Sequence, residues 1–144
     1  SPLAVAVVDL DNYKPLRRKR GPAAADILMK WTEELIRSVT RPEDTVKRYG
    51  ADDFIILLPK TTRAEAGLVA EDIRRKIGAT PCSIEGHLFR TTVSIGLAHL
   101  QPDLATAKAL GSAAQVALYK ARAAGRNQIA VAEDASIRID FAQM

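Results

Sequence analysis

Between Val46 and Pro59 the chain carries two strand-like runs, Val46-Lys-Arg-Tyr49 and the apolar Phe54-Ile-Ile-Leu-Leu58, on either side of Gly50-Ala-Asp-Asp53. That pattern predicts strand, tight turn, strand, with two acids at the tip. An antiparallel hairpin cannot bury its apolar face alone, so the chain must supply a larger sheet and helices to cover it. Adjacent carboxylates at a turn repel each other and gain nothing from burial. Two readings stay open on this stretch alone. One is a solvated acidic turn; the other is a pair of ligands for a cation that sits between the acids and a polyanion.

The remaining segments supply that larger sheet. Leu3–Val8 is apolar at every position and reads as a strand buried on both faces, ending in Asp9-Leu10-Asp11. Acids at the carboxyl end of a central strand sit where open α/β sheets place metals and ligands, or they simply lead the strand into solvent. Asn12–Pro22 holds Lys14, Arg17, Arg18, Lys19 and Arg20, and Pro15 and Pro22 exclude one long helix there. It is expected to be a loop or broken helix, its charges either a solvated face or an attractor of phosphates.

Ala23–Val39 has helical periodicity, with Ile27, Trp31, Leu35 and Val39 as the expected stripe and Leu28 and Ile36 widening it. Thr62-Arg-Ala-Glu65 looks like a capping box opening a second helix, with Ala66, Val69, Ala70, Ile73 and Ile77 inward. Ser83–Ala98 is expected to be a second hairpin turning near Gly86, with period-two alternation from Phe89 to Ile95 marking a half-buried strand. Thr106–Ala124 reads as a third helix with Leu110, Ala114, Leu118 and Ala121 on one face and Gly125 as its cap. Asn127–Val131 is a last short strand, and Glu133–Met144 shows no period. The order β-α-β-β-α-(ββ)-α-β implies one mixed sheet with helices packed on it, an α/β sandwich.

Size and charge set outer bounds. The 144 residues suit one domain, expected over 1–132 with a tail over 133–144. The basic excess of +4 suits an anionic ligand and is too small, with 5% aromatic residues, to argue for nucleic acid. Cys82 is alone, which excludes an internal disulfide and fits a reducing, cytoplasmic setting. No apolar run is long enough to cross a bilayer, so no membrane contact is expected of this domain. The abrupt start on a strand suggests a piece of a longer protein.

Five segments, taken in order, resemble the GGDEF domain family, the diguanylate cyclases of bacterial cyclic-di-GMP signalling. They are Asp9-Leu-Asp-Asn-Tyr-Lys14, Arg41-Pro-Glu-Asp44, Arg48-Tyr-Gly-Ala-Asp-Asp-Phe54, Val93-Ser-Ile-Gly-Leu-Ala98 and Ala117-Leu-Tyr-Lys-Ala-Arg-Ala-Ala-Gly-Arg-Asn127. The resemblance implies a palm-like fold akin to nucleotidyl cyclases and an active form that joins two GTP, one from each subunit of a homodimer. It implies Mg²⁺ or Mn²⁺ held by Asp9, the Leu10 carbonyl, Asp52 and Asp53. Asp52 stands at the position proposed to help deprotonate the attacking hydroxyl, which with Asp53 makes the turn the catalytic element. Lys14, Arg122 and Arg126 would grip the β- and γ-phosphates, and Arg17 and Asp26 would meet guanine. Arg41 and Asp44 stand at the family's inhibitory site, which binds the product cyclic-di-GMP.

The sequence departs from the family pattern around the nucleotide. Ala51 replaces a glycine, at a strain of roughly 1–2 kcal/mol if the position needs positive φ. Asp53 replaces Glu, retracting a carboxylate by about 1.5 Å. Arg17 replaces an Asn that offers guanine both donor and acceptor, and Pro22 replaces a His. At the second site, Asp72 stands where some relatives add an Arg, with Arg74 and Arg75 close by. The expectation is a degenerate domain, weak or inactive as a cyclase, that binds cyclic-di-GMP or a guanine nucleotide and reports to neighbouring domains. The alternative is an active cyclase making cyclic-di-GMP and pyrophosphate.

Overall fold

The computed structural model describes residues 2–101 and 104–132; the expected tail at 133–144 lies outside them. The elements run β1 (Leu3–Leu10), α1 (Tyr13–Arg20), α2 (Pro22–Val39), β2 (Thr45–Arg48), β3 (Asp53–Pro59), α3 (Arg63–Ala79), β4 (Cys82–Ile84), β5 (His87–Phe89), β6 (Val93–His99), α4 (Ala107–Ala123) and β7 (Ile129–Val131). Five strands form one mixed sheet in the order β2-β3-β1-β6-β7. β6 and β7 pair in parallel across the α4 crossover, and the other pairs are antiparallel. No described helix is long and apolar enough to span a membrane.

β1 lies in the middle, and its period-two alternation divides the core. Ala4, Ala6, Val8 and Leu10 face one apolar cluster, built with Leu28, Met29 and Ile36 of α2 and Ala70, Ile73 and Ile77 of α3. Val5 and Val7 face the other, built with Leu110, Ala114 and Leu118 of α4. The uninterrupted apolar run of Leu3–Val8 is thus the signature of a strand covered by helices on both sides.

Four elements differ from expectation. Asn12–Pro22 contains a true helix, α1, because Pro15 sits in its first turn, where a missing N–H costs nothing. The break falls at Gly21, whose φ of 90° ends α1 before Pro22 starts α2. On α2 the buried stripe is Ala24, Ala25, Leu28, Met29, Thr32 and Ile36; Trp31, Leu35 and Val39 lie on its flank and Ile27 is exposed.

The second hairpin is shorter than expected. β4 and β5 pair around Glu85-Gly86, both at positive φ, the geometry of a two-residue primed turn. β6 is a separate strand, buried on both faces within the main sheet. Its polar-looking alternation is misleading: Ser94 is fully buried, and Gly96 is small because α4 lies against it. A Cβ on Gly96 would come within 2.1 Å of the Ala114 carbonyl oxygen. The capping box on α3 is present, with Glu65 N–H donating to Thr62 Oγ1 and Thr62 N–H to Glu65 Oε1.

Candidate functional site

The same alternation that sorts the core also aims the acids. Asp9 follows Val5 and Val7 onto the α4 face of β1. Asp53 is its direct partner across the β1–β3 ladder, on the same face as Ile55 and Leu57. Leu10 N–H donates to the Asp52 carbonyl at 3.1 Å, which holds the hairpin tip against the end of β1. Carboxylate oxygens of Asp9, Asp52 and Asp53 consequently lie within 4.8 Å of one another.

Like charges so close, with Asp9 buried, disfavour ionisation. Burial first, and then the Asp52 charge, push the Asp9 carboxyl up to about 7. Burial and a hydrogen bond shared with Asp52 push Asp53 up to about 6. Arg122 works against the shift, its Nε standing 3.3 Å from Asp9 Oδ2. An all-oxygen donor set carrying excess negative charge is what hard divalent cations such as Mg²⁺ and Mn²⁺ take, so the residues fit such an ion.

Beside the acids is a cavity of about 300 Å³ lined by Asp9, Leu10, Asp11, Lys14, Arg18, Asp52, Arg122 and Arg126 with Pro15. Lys14 and Arg18 stand one turn apart on α1, and Arg122 projects from the last turn of α4, where a cation complements the helix dipole. Arg126 follows in the α4–β7 loop at φ 64°. The fold therefore brings acids and cations together around one hollow, a mixture of charges that suits a metal-bound polyphosphate.

The turn itself is unstrained at its substitution. Positive φ falls on Gly50, at 85°, and Ala51 is outside the left-handed region, so the strain foreseen for Ala51 does not arise. Glycine at position 50 is needed for a second reason: a Cβ there would sit 3.0 Å from an Asp53 carboxylate oxygen.

Other expected site residues lie apart from the cavity. Arg17 is on the exposed side of α1. Asp26 is taken by Lys30 at 3.1 Å and Arg48 at 3.3 Å, and these two partners lower its carboxyl below the usual range. Arg41 and Asp44 are close but turned on each other. Arg41 Nη2 donates to Asp44 Oδ1, the Pro59 carbonyl and Thr61 Oγ1, and Arg41 N–H donates to Asp44 Oδ2. The Asp44 side chain is 1% exposed. Arg74 points away from this pair, to Glu71 and to Asn127 Oδ1.

Two cavity residues carry only a general sequence signal. Arg18 belongs to the basic cluster expected to attract phosphates, and its four-residue spacing from Lys14 sets both on one face of α1. Asp11 belongs to the acids expected at the end of β1, but its partners, Thr92, Ser94 and Asn127, are distant in the chain and invisible in the sequence.

Known proteins share this architecture. The chain is 33% identical over 132 residues to diguanylate cyclase A of Treponema denticola, covering 92% of this chain and 36% of that protein. It is 35% identical over 124 residues to the bifunctional diguanylate cyclase/cyclic di-GMP phosphodiesterase MucR of Pseudomonas aeruginosa, covering 86% of this chain and 18% of that one. It therefore spans only a minor part of these relatives' length. Among solved structures, the isolated GGDEF domain of YfiN from Pseudomonas aeruginosa superposes with a TM-score of 0.88 at 31% identity, covering 96% of this chain and 81% of that one. The family model for the diguanylate cyclase GGDEF domain matches residues 1–128, nearly the whole of the described sheet and its helices, and the chain belongs to that family.

Proposed function

We propose that this domain binds GTP with a divalent cation in the cavity beside Asp9 and serves cyclic-di-GMP signalling as a guanine-nucleotide-binding regulatory module with weak cyclase turnover. One observation carries the reading: Asp9, Asp52 and Asp53 converge within 4.8 Å beside a cavity that Lys14, Arg122 and Arg126 also line.

Asp9, Asp52, Asp53 and the Leu10 carbonyl would hold Mg²⁺ or Mn²⁺. When bound, the ion supplies Lewis-acid polarisation of the α-phosphate and neutralises charge on the departing pyrophosphate. Lys14, Arg122 and Arg126 hold the β- and γ-phosphates, and Arg122 exchanges its Asp9 contact for them. Asp52, on the tip and only partly buried, is the carboxylate placed to take the proton of an incoming 3′-hydroxyl.

Weak turnover follows from the base end. Arg17 and Asp26, the residues expected at guanine, are an exposed donor and an acid already held by two cations. Base recognition must break existing pairs, which reduces the orientation available for in-line attack. Titration calorimetry with GTP, ATP and Mn²⁺ tests the proposal. Mn²⁺-dependent GTP binding that is lost in Asp9→Ala is expected; no binding at high micromolar GTP overturns it.

The second reading is an active cyclase working as a homodimer. It is favoured by the unstrained Ala51 and by Asp53, which remains within reach of the other acids despite its shorter side chain. Cyclic-di-GMP formed from GTP at relatives' rates, and abolished by Asp52→Ala, puts this reading first. Binding of cyclic-di-GMP at Arg41 and Asp44 ranks below both, since the ligand must displace Arg41 from three partners.

A further inference from the structure

The loop after α4 is built in an uncommon way. Gly125, Arg126 and Asn127 all have positive φ, at 125°, 64° and 48°. Consecutive left-handed residues with side chains are held only where the surroundings over-determine them. Arg126 N–H donates to the Ala121 carbonyl at 3.0 Å, and Gln128 Nε2 to the Arg126 carbonyl at 2.9 Å. Asn127 Oδ1 accepts from Arg74 of α3. The remaining tie is Asp11. Its Oδ2 accepts Asn127 N–H at 3.1 Å and Thr92 Oγ1 at 2.6 Å, and its Oδ1 accepts Ser94 Oγ at 2.6 Å.

Asp11 thus joins three pieces of chain: the end of β1, the start of β6 and the loop that carries Arg126. Its own N–H adds a bond to the Thr92 carbonyl at 3.0 Å. Both carboxylate oxygens are committed to donors from the protein, unlike those of the neighbouring Asp9, whose charge is met, among the described residues, by the Arg122 cation alone. From this geometry we infer that Asp11 is a positioning residue: it acts through Asn127 to fix Arg126 at the phosphate end of the cavity, and it is not a ligand of the ion. The inference rests on the GTP reading for its consequence and on the hydrogen bonds alone for its structure.

The chemistry of the substitutions separates the roles. In Asp11→Asn the remaining carbonyl oxygen still accepts Asn127 N–H, and the new amide donates to Ser94 Oγ, which is free to rotate and accept. The anchor survives while the charge is lost. In Asp11→Ala the anchor is gone. An ion ligand would show the opposite pattern, since Asn is a far poorer ligand than Asp for a hard cation.

The test uses the 144-residue chain, with Mn²⁺ alone and then GTP or GMP with Mn²⁺. Asp11→Ala is expected to weaken GTP about tenfold, the low end for loss of an outer-shell support, and to leave GMP and Mn²⁺ affinity unchanged. Asp11→Asn is expected to stay within about twofold of wild type for all three, a limit set by its preserved hydrogen bonds. In an Arg126→Ala background Asp11→Ala should have no further effect on GTP, because coupled residues are non-additive. Lost Mn²⁺ affinity in Asp11→Asn overturns the inference, as does an Asp11→Ala effect that persists without Arg126. If wild type binds no GTP, the functional reading fails by itself. Amide exchange at Asn127 then decides the anchor: faster exchange in Asp11→Ala than in wild type and Asp11→Asn upholds it, and equal exchange rejects it.

Discussion

Asp9 and Arg122 meet at 3.3 Å across the top of the sheet, the acid buried on β1 and the guanidinium reaching back from the last turn of α4. The pair joins the acid cluster to the cations that line the same cavity. Arg122 partly offsets the charge that Asp9, Asp52 and Asp53 concentrate there. Replacing Asp9 by Asn removes the most buried charge of the acid group while keeping its shape. Thermal melts without divalent ions should show Asp9→Asn at or a few degrees above wild type, at about 2–4 °C per kcal/mol for a chain of this size. The same variant should lose Mn²⁺-dependent stabilisation. A lower melting temperature combined with retained Mn²⁺ stabilisation would contradict this account of the acids.

The acids also give stability a distinctive pH dependence. Asp9 titrates at about 7 and Asp53 at about 6 in the folded chain, both above their ordinary values near 3.8. The folded state therefore binds more protons than the unfolded state between about pH 4 and pH 7, and stability falls as pH rises through that window. Glu65, Glu71 and Asp26 shift the other way, held below their usual range by Thr62, by Arg74 and by Lys30 with Arg48 respectively. Their contributions are present at higher pH and lost only on acidification through their lowered folded values. Melts at pH 5 and pH 8 should show the higher melting temperature at pH 5, and millimolar Mn²⁺ should narrow the gap by stabilising the pH 8 sample.

Arg41→Ala should destabilise the fold before it says anything about a ligand. The substitution strands the Asp44 carboxylate, whose side chain is 1% exposed, with the backbone N–H of residue 41 as its remaining donor from the pair. It also removes donors from the Pro59 carbonyl and Thr61. A loss of stability is expected, because a buried acceptor loses its side-chain donor; it stays moderate because the backbone N–H remains and Arg41 itself is open to solvent. Denaturant unfolding measures it directly. Paired loss of stability and of cyclic-di-GMP binding in this variant is not evidence of contact; Arg41→Lys, which keeps a donor, is the informative comparison.

Gly96→Ala should separate α4 from the sheet. The added methyl carbon would lie 2.1 Å from the Ala114 carbonyl oxygen and 2.3 Å from Leu118 N, both backbone atoms that cannot turn aside. A loss of about 3 kcal/mol or more is expected for such overpacking. GTP affinity should fall with it, because Arg122 and Arg126 travel with the helix. A variant as stable as wild type would show that the helix has room to move.

Much of the architecture is written locally. The acids at the hairpin tip, the capping box at Thr62 and Glu65, and the two-faced burial of Leu3–Val8 each follow from short-range pattern. The misses share a cause: each depends on a neighbour remote in the chain. Trp31 lies on the flank of the buried stripe, which runs through Ala24, Ala25, Leu28 and Met29 instead. Ser94 mimics an exposed position because its partner is Asp11. The contacts of Arg41 with Pro59 and Thr61 are equally invisible in the sequence, since they lie 18 and 20 residues away. Pro15 is the exception, a local signal misread, since its meaning changes with its position in the helical turn.

The central placement of β1 has a consequence for how the molecule comes into being. Its two ladder partners, β3 and β6, lie at residues 53–59 and 93–99, and the arginines that complete the hollow lie later still. No early fragment possesses both flanks of this strand, so assembly must wait on distant segments and proceed nearly all at once. A nascent or proteolysed chain that stops short of β6 holds an unpaired apolar edge instead of a partial domain, and is material for aggregation or for the chaperones that prevent it.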